Sequence, residues 1–246
     1  MPIGVIFNTL CIIAGSIIGV ILGPRLKDDF KENLTNIFGC CAMAMGISSI
    51  VLIANLPAVI LSVIIGTIIG MAIHLGQWIN KGGAAMQDFI SRFIKSSNST
   101  MPETEFTNSL ITIIVLACAS GTGIYGSIVS GMSGDHTMLI TKSILDLFTF
   151  IIFATTLGPV TITIAIPQFI IFMLLFLCGG LIYPLTTPAM INDFKAVGGI
   201  LLLATGFRMI KVKMFPTADM IPAMIIVMPL SAFWTNYVVP FLSSLG

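Results

Sequence analysis

The stretch Ile3-Gly-Val-Ile-Phe-Asn-Thr-Leu-Cys-Ile-Ile-Ala-Gly-Ser-Ile-Ile-Gly-Val-Ile-Leu22 decides the fold class, because it carries no charged side chain. A helix rises about 1.5 Å per residue, so a run of this length matches the hydrocarbon core of a bilayer, which is about 30 Å thick. The run lacks a basic preceding segment and a small-residue cleavage site. We therefore expect a membrane-spanning helix and not a cleaved signal peptide.

The whole chain has the same apolar character. Of its 246 residues, 57% are hydrophobic and 9% are charged, and the mean hydropathy is +1.08. Soluble domains carry about 25% charged residues. The net charge of +1 offers no attraction for nucleic acid. We therefore predict an all-α, polytopic helical membrane protein in a lipid bilayer. Disordered chains, nucleic-acid-binding proteins and ordinary soluble enzymes are excluded.

Apolar runs separated by turn residues predict about eight transmembrane helices. Several runs end at a Gly-Pro or Asn-Leu-Pro step, where proline stops the helix. Very short turns join the second span to the third and the fifth to the sixth, which predicts two helical hairpins. The predicted spans are Ile3–Leu22, Leu34–Ala54, Ala58–Leu75, Phe106–Ser130, Thr137–Leu157, Ile166–Tyr183, Ala196–Ile210 and Thr217–Val239.

Lysine and arginine are unequally divided between the two faces that eight spans define. Lys195 is the one cation predicted on the second face, and Lys142 lies inside the fifth span. Cytoplasmic loops are enriched in Lys and Arg, so the basic face is predicted to be cytoplasmic. Both termini then lie outside the cytoplasm of a multi-pass protein of the cell inner (plasma) membrane. The nine cations of the basic face are Arg25, Lys27, Lys31, Lys81, Arg92, Lys95, Arg208, Lys211 and Lys213.

A long polar stretch, residues 80–105, separates the third span from the fourth. Its segment Lys95–Thr100 has the composition of a flexible linker. Within the stretch, Ala84–Ile94 is either a short amphipathic helix on the membrane surface or a solvated loop. The sequence supports these two alternatives about equally.

Spans one to three resemble spans six to eight. Asn33–Gly39 followed by Gly46 matches Asp193–Gly199 followed by Gly206 at a constant offset. An odd number of spans separates the two starts, so the second copy is inverted, as in many secondary transporters. Chance Gly and Pro matches are the alternative. We predict one membrane domain, in which repeat one (1–79), a cytoplasmic linker (80–105), two central helices (106–157) and repeat two (166–246) follow each other.

The fifth span carries ionisable residues at membrane depth. Asp135, Lys142 and Asp146 are separated by seven and four residues, which places them on one helical face. Asp146 lies about 15 Å further into the membrane than Asp135, near the midplane. A charge at that depth costs at least about 2.5–3.5 kcal/mol. The Lys142–Asp146 pair is therefore either a site for a cation, a proton or a polar substrate, or a structural ion pair. A lysine that extends outward to the interface is a further alternative.

The fourth span is rich in glycine. Gly121, Gly123 and Gly126 fall within six residues, and each weakens a helix by about 1 kcal/mol relative to alanine. Irregular backbone at membrane depth is tolerated where it lines protein or water. The segment predicts either a discontinuous helix at a binding site or a closely packed helix. The neutral ligands predicted from the two central spans are Ser120, Thr122, Ser127 and Ser143.

Other polar residues give weaker signals. Asn8 in the first span is expected to reach the same centre, whereas Asn36 and Asn236 are expected to form interhelical hydrogen bonds. His74 and His136 have no further metal-ligating residues beside them, and the five cysteines form no C-x-x-C motif. We predict no metal, no enzyme activity and no cofactor other than a coupling Na⁺ or H⁺.

The string Gly126-Ser127…Gly131…Gly134-Asp135-His136…Lys142-Ser143-Ile-Leu-Asp146 resembles the signature of the domain-of-unknown-function 554 family, a family of bacterial multi-spanning membrane proteins. Leu147 stands where that family usually has glycine, and Ser130 where aspartate is common. The resemblance implies an integral membrane protein and no particular substrate. It extends to Gly4, Asn8, Gly15, Gly19, Ile37-Phe38-Gly39 and Asn55-Leu56-Pro57-Ala58.

These patterns together predict a secondary transporter of a small ion or polar metabolite. Asp146 would bind the coupling or transported cation, Lys142 would balance it or contact an anionic group, and Asp135 would lie at the outer mouth. The alternatives are an ion channel or pore, and a structural or accessory membrane protein in which the Lys142–Asp146 pair only fixes packing. A lipid-handling or signalling module is a third class. A homodimer is a further expectation.

Overall fold

The structure is a computed structural model that describes residues 1–22, 25–93 and 103–244. These residues form helices and connecting turns without a β-strand, which confirms the predicted all-α fold. A short 3₁₀ turn, Tyr183–Leu185, follows α9, and a π-helical turn, Trp234–Val238, joins α11 to α12. The helices are α1 (Ile3–Leu22), α2 (Asp28–Ile50), α3 (Leu56–Ala72), α4 (Leu75–Phe93), α5 (Glu103–Cys118), α6 (Gly121–Ser133), α7 (Thr137–Leu157), α8 (Val160–Thr163), α9 (Ala165–Ile182), α10 (Pro188–Met209), α11 (Pro222–Phe233) and α12 (Val239–Ser243).

The helical segments have the dimensions of membrane spans. Within the described ranges, seven segments are long and apolar enough to cross a membrane. Helices α3 and α4 meet at a bend of 60° and make an eighth when they are taken as one span. The count agrees with the prediction of about eight spans.

The direction of α1 relative to α7 supports the higher count. Gly4 of α1 lies beside Leu139 of α7, and Gly19 lies beside Ile151, so the two helices run parallel. Two parallel spans must be separated along the chain by an odd number of membrane crossings. Helix α2 and the segment α5–α6 provide two crossings between α1 and α7, so α3 continued by α4 is counted as the third.

The chain divides into two compact units. Unit 1 contains Met1–Ile37 and Gln77–Leu181, and unit 2 contains Phe38–Gly76 and Ile182–Gly246. In unit 1, the main apolar core lies among α1, α5, α7, α8 and α9, with fully buried side chains such as Ile12, Leu110 and Ile164.

Glycines bring the helices of unit 2 into backbone contact. A Cβ on Gly46 of α2 would lie 2.6 Å from the carbonyl oxygen of Gly199 in α10, and the reverse distance is the same. Gly39 approaches Gly206 in the same way. The order of these contacts makes α2 and α10 antiparallel. All four glycines belong to the matched segments of the predicted repeat. Gly46 contacts Gly199, the counterpart of Gly39, and Gly39 contacts Gly206, the counterpart of Gly46.

Some helix ends differ from the predicted ones. The seventh span begins at Pro188 and not near Ala196, because Thr187 caps the helix and accepts the amide of Met190, and proline fits the first turn. Asp193, expected before this span, therefore lies inside α10. Hydropathy locates the apolar part of a helix, whereas capping residues set its end. The predicted fourth span is interrupted after Cys118, where α5 ends.

The polar stretch after the third span contains a helix. Residues 84–93 belong to α4, so the helical alternative is the observed one over these residues. Ile90 and Gln87 are buried, whereas Asp88 and Phe89 are exposed, as expected of an amphipathic helix. Ile94 and the segment Lys95–Thr100 lie outside the described residues. A position at the membrane surface stays a prediction.

Candidate functional site

An ion pair lies halfway along α7. Lys142 Nζ donates to Asp146 Oδ2 at 2.5 Å, and the two side chains are 6% and 13% exposed. Their four-residue spacing places them one turn apart on the same face. The predicted pairing is therefore present in the structure, and both charges are removed from bulk solvent.

Helix α1 supplies a second partner for Asp146. Asn8 Nδ2 donates to Asp146 Oδ2 at 2.7 Å, and Asn8 is fully buried. The contact depends on glycine, because a Cβ on Gly15 or Gly19 would collide with a carbonyl oxygen of α7. The expectation that Asn8 reaches the centre is confirmed.

Two members of the site were missed by the sequence reasoning. Gln168 of α9 donates through Nε2 to Asn8 Oδ1 at 2.7 Å. The hydroxyl of Thr9 lies 3.1 Å from Gln168 Oε1 and 3.0 Å from the carbonyl oxygen of Val5, so these two acceptors share one donor. Gln168 is fully buried and is the single amide side chain within the apolar run of α9. An isolated amide in an apolar run is the sequence feature that could have identified Gln168. Asn8, Thr9, Lys142, Asp146 and Gln168 are called the polar cluster below.

The two charges of the polar cluster cancel, but the hydrogen bonds to its carboxylate fall on one oxygen. The positive charge of Lys142 offsets the carboxylate of Asp146. Among the described residues, both hydrogen bonds to that carboxylate fall on Oδ2, which leaves Oδ1 able to accept from a ligand. The ring centroid of Phe172 lies 5.8 Å from Lys142 Nζ, so the ammonium group also lies over an aromatic ring.

Three of the remaining predicted ligands form hydrogen bonds at other places. Ser143 donates to the carbonyl of Leu139 in its own helix at 2.5 Å. Asp135 accepts the amide of Thr137 at 3.0 Å, at the start of α7. Ser120 is the N-cap of α6.

Helix α6 begins at the predicted break in the fourth span. Ser120 Oγ accepts the amide of Gly123 at 3.2 Å, and a left-handed Gly134 ends the helix. Close packing is present too, since a Cβ on Gly123 would collide with the ring of Phe172. Thr122 and Ser127 are buried, and Ser127 Oγ has no hydrogen-bond partner within the described ranges.

Unit 2 contains a second buried carboxylate that the sequence reasoning did not single out. Asp193 Oδ1 accepts the amides of Ala54 and Asn55 at 2.8 and 2.9 Å. Its Oδ2 accepts from Asn55 Nδ2 at 2.9 Å and from Ser231 Oγ at 2.6 Å. Because Asn55 precedes α3, Asp193 fixes the turn between α2 and α3. Four donors saturate this carboxylate, so we interpret it as structural.

Metal-binding groups are absent from the part of the chain that the structure describes, where no three His, Cys, Asp or Glu side chains come together. His136 Nδ1 lies 2.6 Å from Ser130 Oγ, so its contact is with the end of α6. The cysteines of the described residues are free thiols.

These features define a polytopic α-helical membrane protein with a polar cluster in the middle of one unit. The family described as "Protein of unknown function (DUF554)" matches residues 3–232, and the chain belongs to it. The expected family resemblance is thereby confirmed.

Two relatives match nearly the full length. An "Uncharacterized protein YqgA" of Escherichia coli (strain K12) is 43% identical over 237 residues, covering 96% of this chain and 99% of the relative. An "Uncharacterized membrane protein YdfK" of Bacillus subtilis (strain 168) is 31% identical over 229 residues, covering 91% and 93%. No solved structure matches the chain significantly.

Proposed function

We propose that this protein is a secondary transporter whose coupling cation, Na⁺ or H⁺, binds Asp146. The observation that carries the proposal is the Lys142–Asp146 pair in the middle of a membrane helix, shared with Asn8 of a neighbouring helix. A buried ion pair adds little stability compared with apolar residues of similar size. Ionisable residues inside a membrane segment are typical of substrate and ion pathways.

The geometry supplies a mechanism for coupling. A proton or Na⁺ that reaches Asp146 competes with Lys142 for the carboxylate. Once Asp146 is neutralised, Lys142 loses its partner and the link between α1 and α7 through Asn8 weakens. A cation can therefore change the contact between two helices, and a transporter needs this kind of two-state element to alternate between its faces.

The matched glycine contacts of α2 with α10 support the same proposal. When each residue is replaced by its counterpart in the other repeat, the Gly39–Gly206 contact becomes the Gly46–Gly199 contact. Inverted halves related by a pseudo-two-fold axis are expected to make such pairs of contacts. We include the inverted repeat, the inner-membrane location and the orientation with both termini outside the cytoplasm in this proposal.

The test is cation flux in proteoliposomes. We expect an imposed ²²Na⁺ or proton gradient to collapse faster in liposomes that contain the wild-type protein than in protein-free liposomes. The medium contains amino acids, carboxylates and sugars as candidate substrates. Asp146→Asn should remove that acceleration. Asp29→Asn is the matched control, because it makes the same chemical change at an exposed position.

Two results would contradict the proposal. One is no protein-dependent flux of either cation, and the other is an unchanged flux in folded Asp146→Asn protein. Discrete single-channel steps in planar bilayers would instead favour the channel alternative.

A further inference from the structure

The first turn of α6 and Lys142 both lie beside the same aromatic residue of α9. Phe172 of α9 is fully buried. Its ring lies against Gly123 in the first turn of α6 and 5.8 Å from Lys142 Nζ. One aromatic ring therefore contacts the first turn of α6 and lies within cation–π distance of the ammonium group.

The start of α6 is a positive end of a helix dipole. The first amides of a helix have no carbonyl partner within it, and together they attract negative charge. Ser120 satisfies the amide of Gly123. Within the described residues, the amide of Thr122 has no acceptor.

Ser127 provides a second, independent donor on this helix. Its hydroxyl is fully buried and has no hydrogen-bond partner among the described residues, and an unsatisfied buried hydroxyl costs a protein about 1–3 kcal/mol. Ser127 lies one turn after Gly123 on the same face of α6. Helical Cα–Cβ bonds tilt toward the N-terminus, so the hydroxyl leans toward the first turn.

We infer that Lys142, the first turn of α6 and Ser127 form the binding site of a small monovalent anion, whose place the Phe172 ring occupies in this conformation. All three elements offer positive charge or hydrogen-bond donors, which are groups that attract an anion and not a cation. The anion would be the transported partner of the cation at Asp146, so the inference rests on the proposed function.

Charge balance explains why the two ions would move together. The Lys142–Asp146 pair is neutral as a unit. An anion bound to Lys142 in the place of the Phe172 ring would add one uncompensated negative charge near the midplane, which is costly. A proton or Na⁺ on Asp146 restores neutrality. The site therefore favours electroneutral symport of one anion with one cation.

The experiment measures anion binding directly, without transport. Full-length purified protein in detergent is unfolded by heat at constant Na⁺ concentration, while sodium gluconate is replaced stepwise by sodium acetate or sodium chloride. We expect acetate or chloride to raise the unfolding midpoint saturably, since gluconate is too large for the site. Acetate alone would identify a carboxylate substrate, and chloride alone a halide.

Ser127→Ala and Ser16→Ala form a matched pair. Both remove a fully buried hydroxyl that has no partner, but Ser16 lies on α1. Ser127→Ala should raise the half-saturating anion concentration about tenfold, the effect of one lost hydrogen bond to a charged group. Ser16→Ala should leave it unchanged.

Absence of any midpoint difference among the three anions would overturn the inference, as would equal effects of the two substitutions. Cation flux that depends on Asp146, found without anion binding, would overturn this inference and leave the proposed function standing. Anion binding without Asp146-dependent cation flux would overturn the proposed function and the symport, and would leave the anion-binding site standing.

Discussion

The carboxylate of Asp146 is held by charge from its own helix and by an amide from α1. Lys142 and Asn8 both donate to Oδ2. Removal of one charged partner leaves the other charge without a counter-charge in a low-dielectric environment. Removal of both partners leaves no unpaired charge. A double variant can therefore distinguish a packing role of the Lys142–Asp146 pair from a role in ion binding.

A double-mutant cycle makes this distinction. Lys142→Met and Asp146→Leu alone should each lower the free energy of unfolding by about 3–5 kcal/mol. The double variant should unfold close to the wild-type midpoint in detergent, yet carry no cation flux in proteoliposomes. A double variant that retains wild-type flux would favour the structural alternative. An unstable double variant would show that the coupling between the two residues is not mainly electrostatic.

Part of this site could be predicted from residues alone. The spacing of Lys142 and Asp146 places them on one face of a helix, and Asn8 is a costly amide in an apolar span. Gln168 was not predicted, because its role depends on how α9 is rotated against α1. That rotation is set by packing and not by local sequence. Ser143 illustrates the same limit, since its hydroxyl turns to its own helix.

At the scale of elements, α1 and α7 are joined through backbone contact and not through large side chains. Gly15 and Gly19 remove the side chains that would otherwise separate the helices. Small residues are the usual means of close helix packing in lipid, where the apolar effect between helices is weak.

Two glycine substitutions test this packing. Gly15→Ala places a methyl group against the carbonyl of Leu147 and should destabilise the protein by about 1–3 kcal/mol, the cost of overpacking. Gly82→Ala in α4 adds a methyl group where nothing lies within 4 Å. It should be neutral or stabilising by up to about 1 kcal/mol. Unfolding midpoints in detergent give the comparison, and equal shifts would refute the close-contact argument.

Helix positions were predictable from the sequence more than helix ends were. Apolar runs located every span, because the bilayer requires them. The start of α10 at Pro188 depends on the Thr187 cap, and the break before α6 depends on Ser120. Short polar signals of this kind contribute little to a hydropathy average.

For the whole molecule, the number of crossings determines where the termini lie. When α3 and α4 are taken as one span, as the parallel arrangement of α1 and α7 favours, the described helices make eight candidate crossings. An even number returns the chain to the side on which it began. In the proposed topology this side is outside the cytoplasm, because Lys and Arg are in excess in the loops of the other side.

Reporter fusions test the topology. Alkaline phosphatase fused after Gly246 should be active, and the same reporter fused after Lys213 should be inactive, because the enzyme folds only outside the cytoplasm. An epitope tag before Met1 should be cleaved by protease added to spheroplasts. A protected N-terminal tag together with an active C-terminal fusion would indicate an odd number of crossings.

The contact between Asn8 and Asp146 also has a consequence for how the chain is made. The two residues are 138 positions apart, and a ribosome adds about 5–20 residues per second, so α7 emerges on the order of ten seconds after α1. During that interval the amide of Asn8 lacks its partner, and the glycine face of α1 has no helix against it. Newly made α1 therefore needs a sheltered position at the insertion machinery until α7 arrives, and biogenesis of this protein should be sensitive to loss of membrane chaperones.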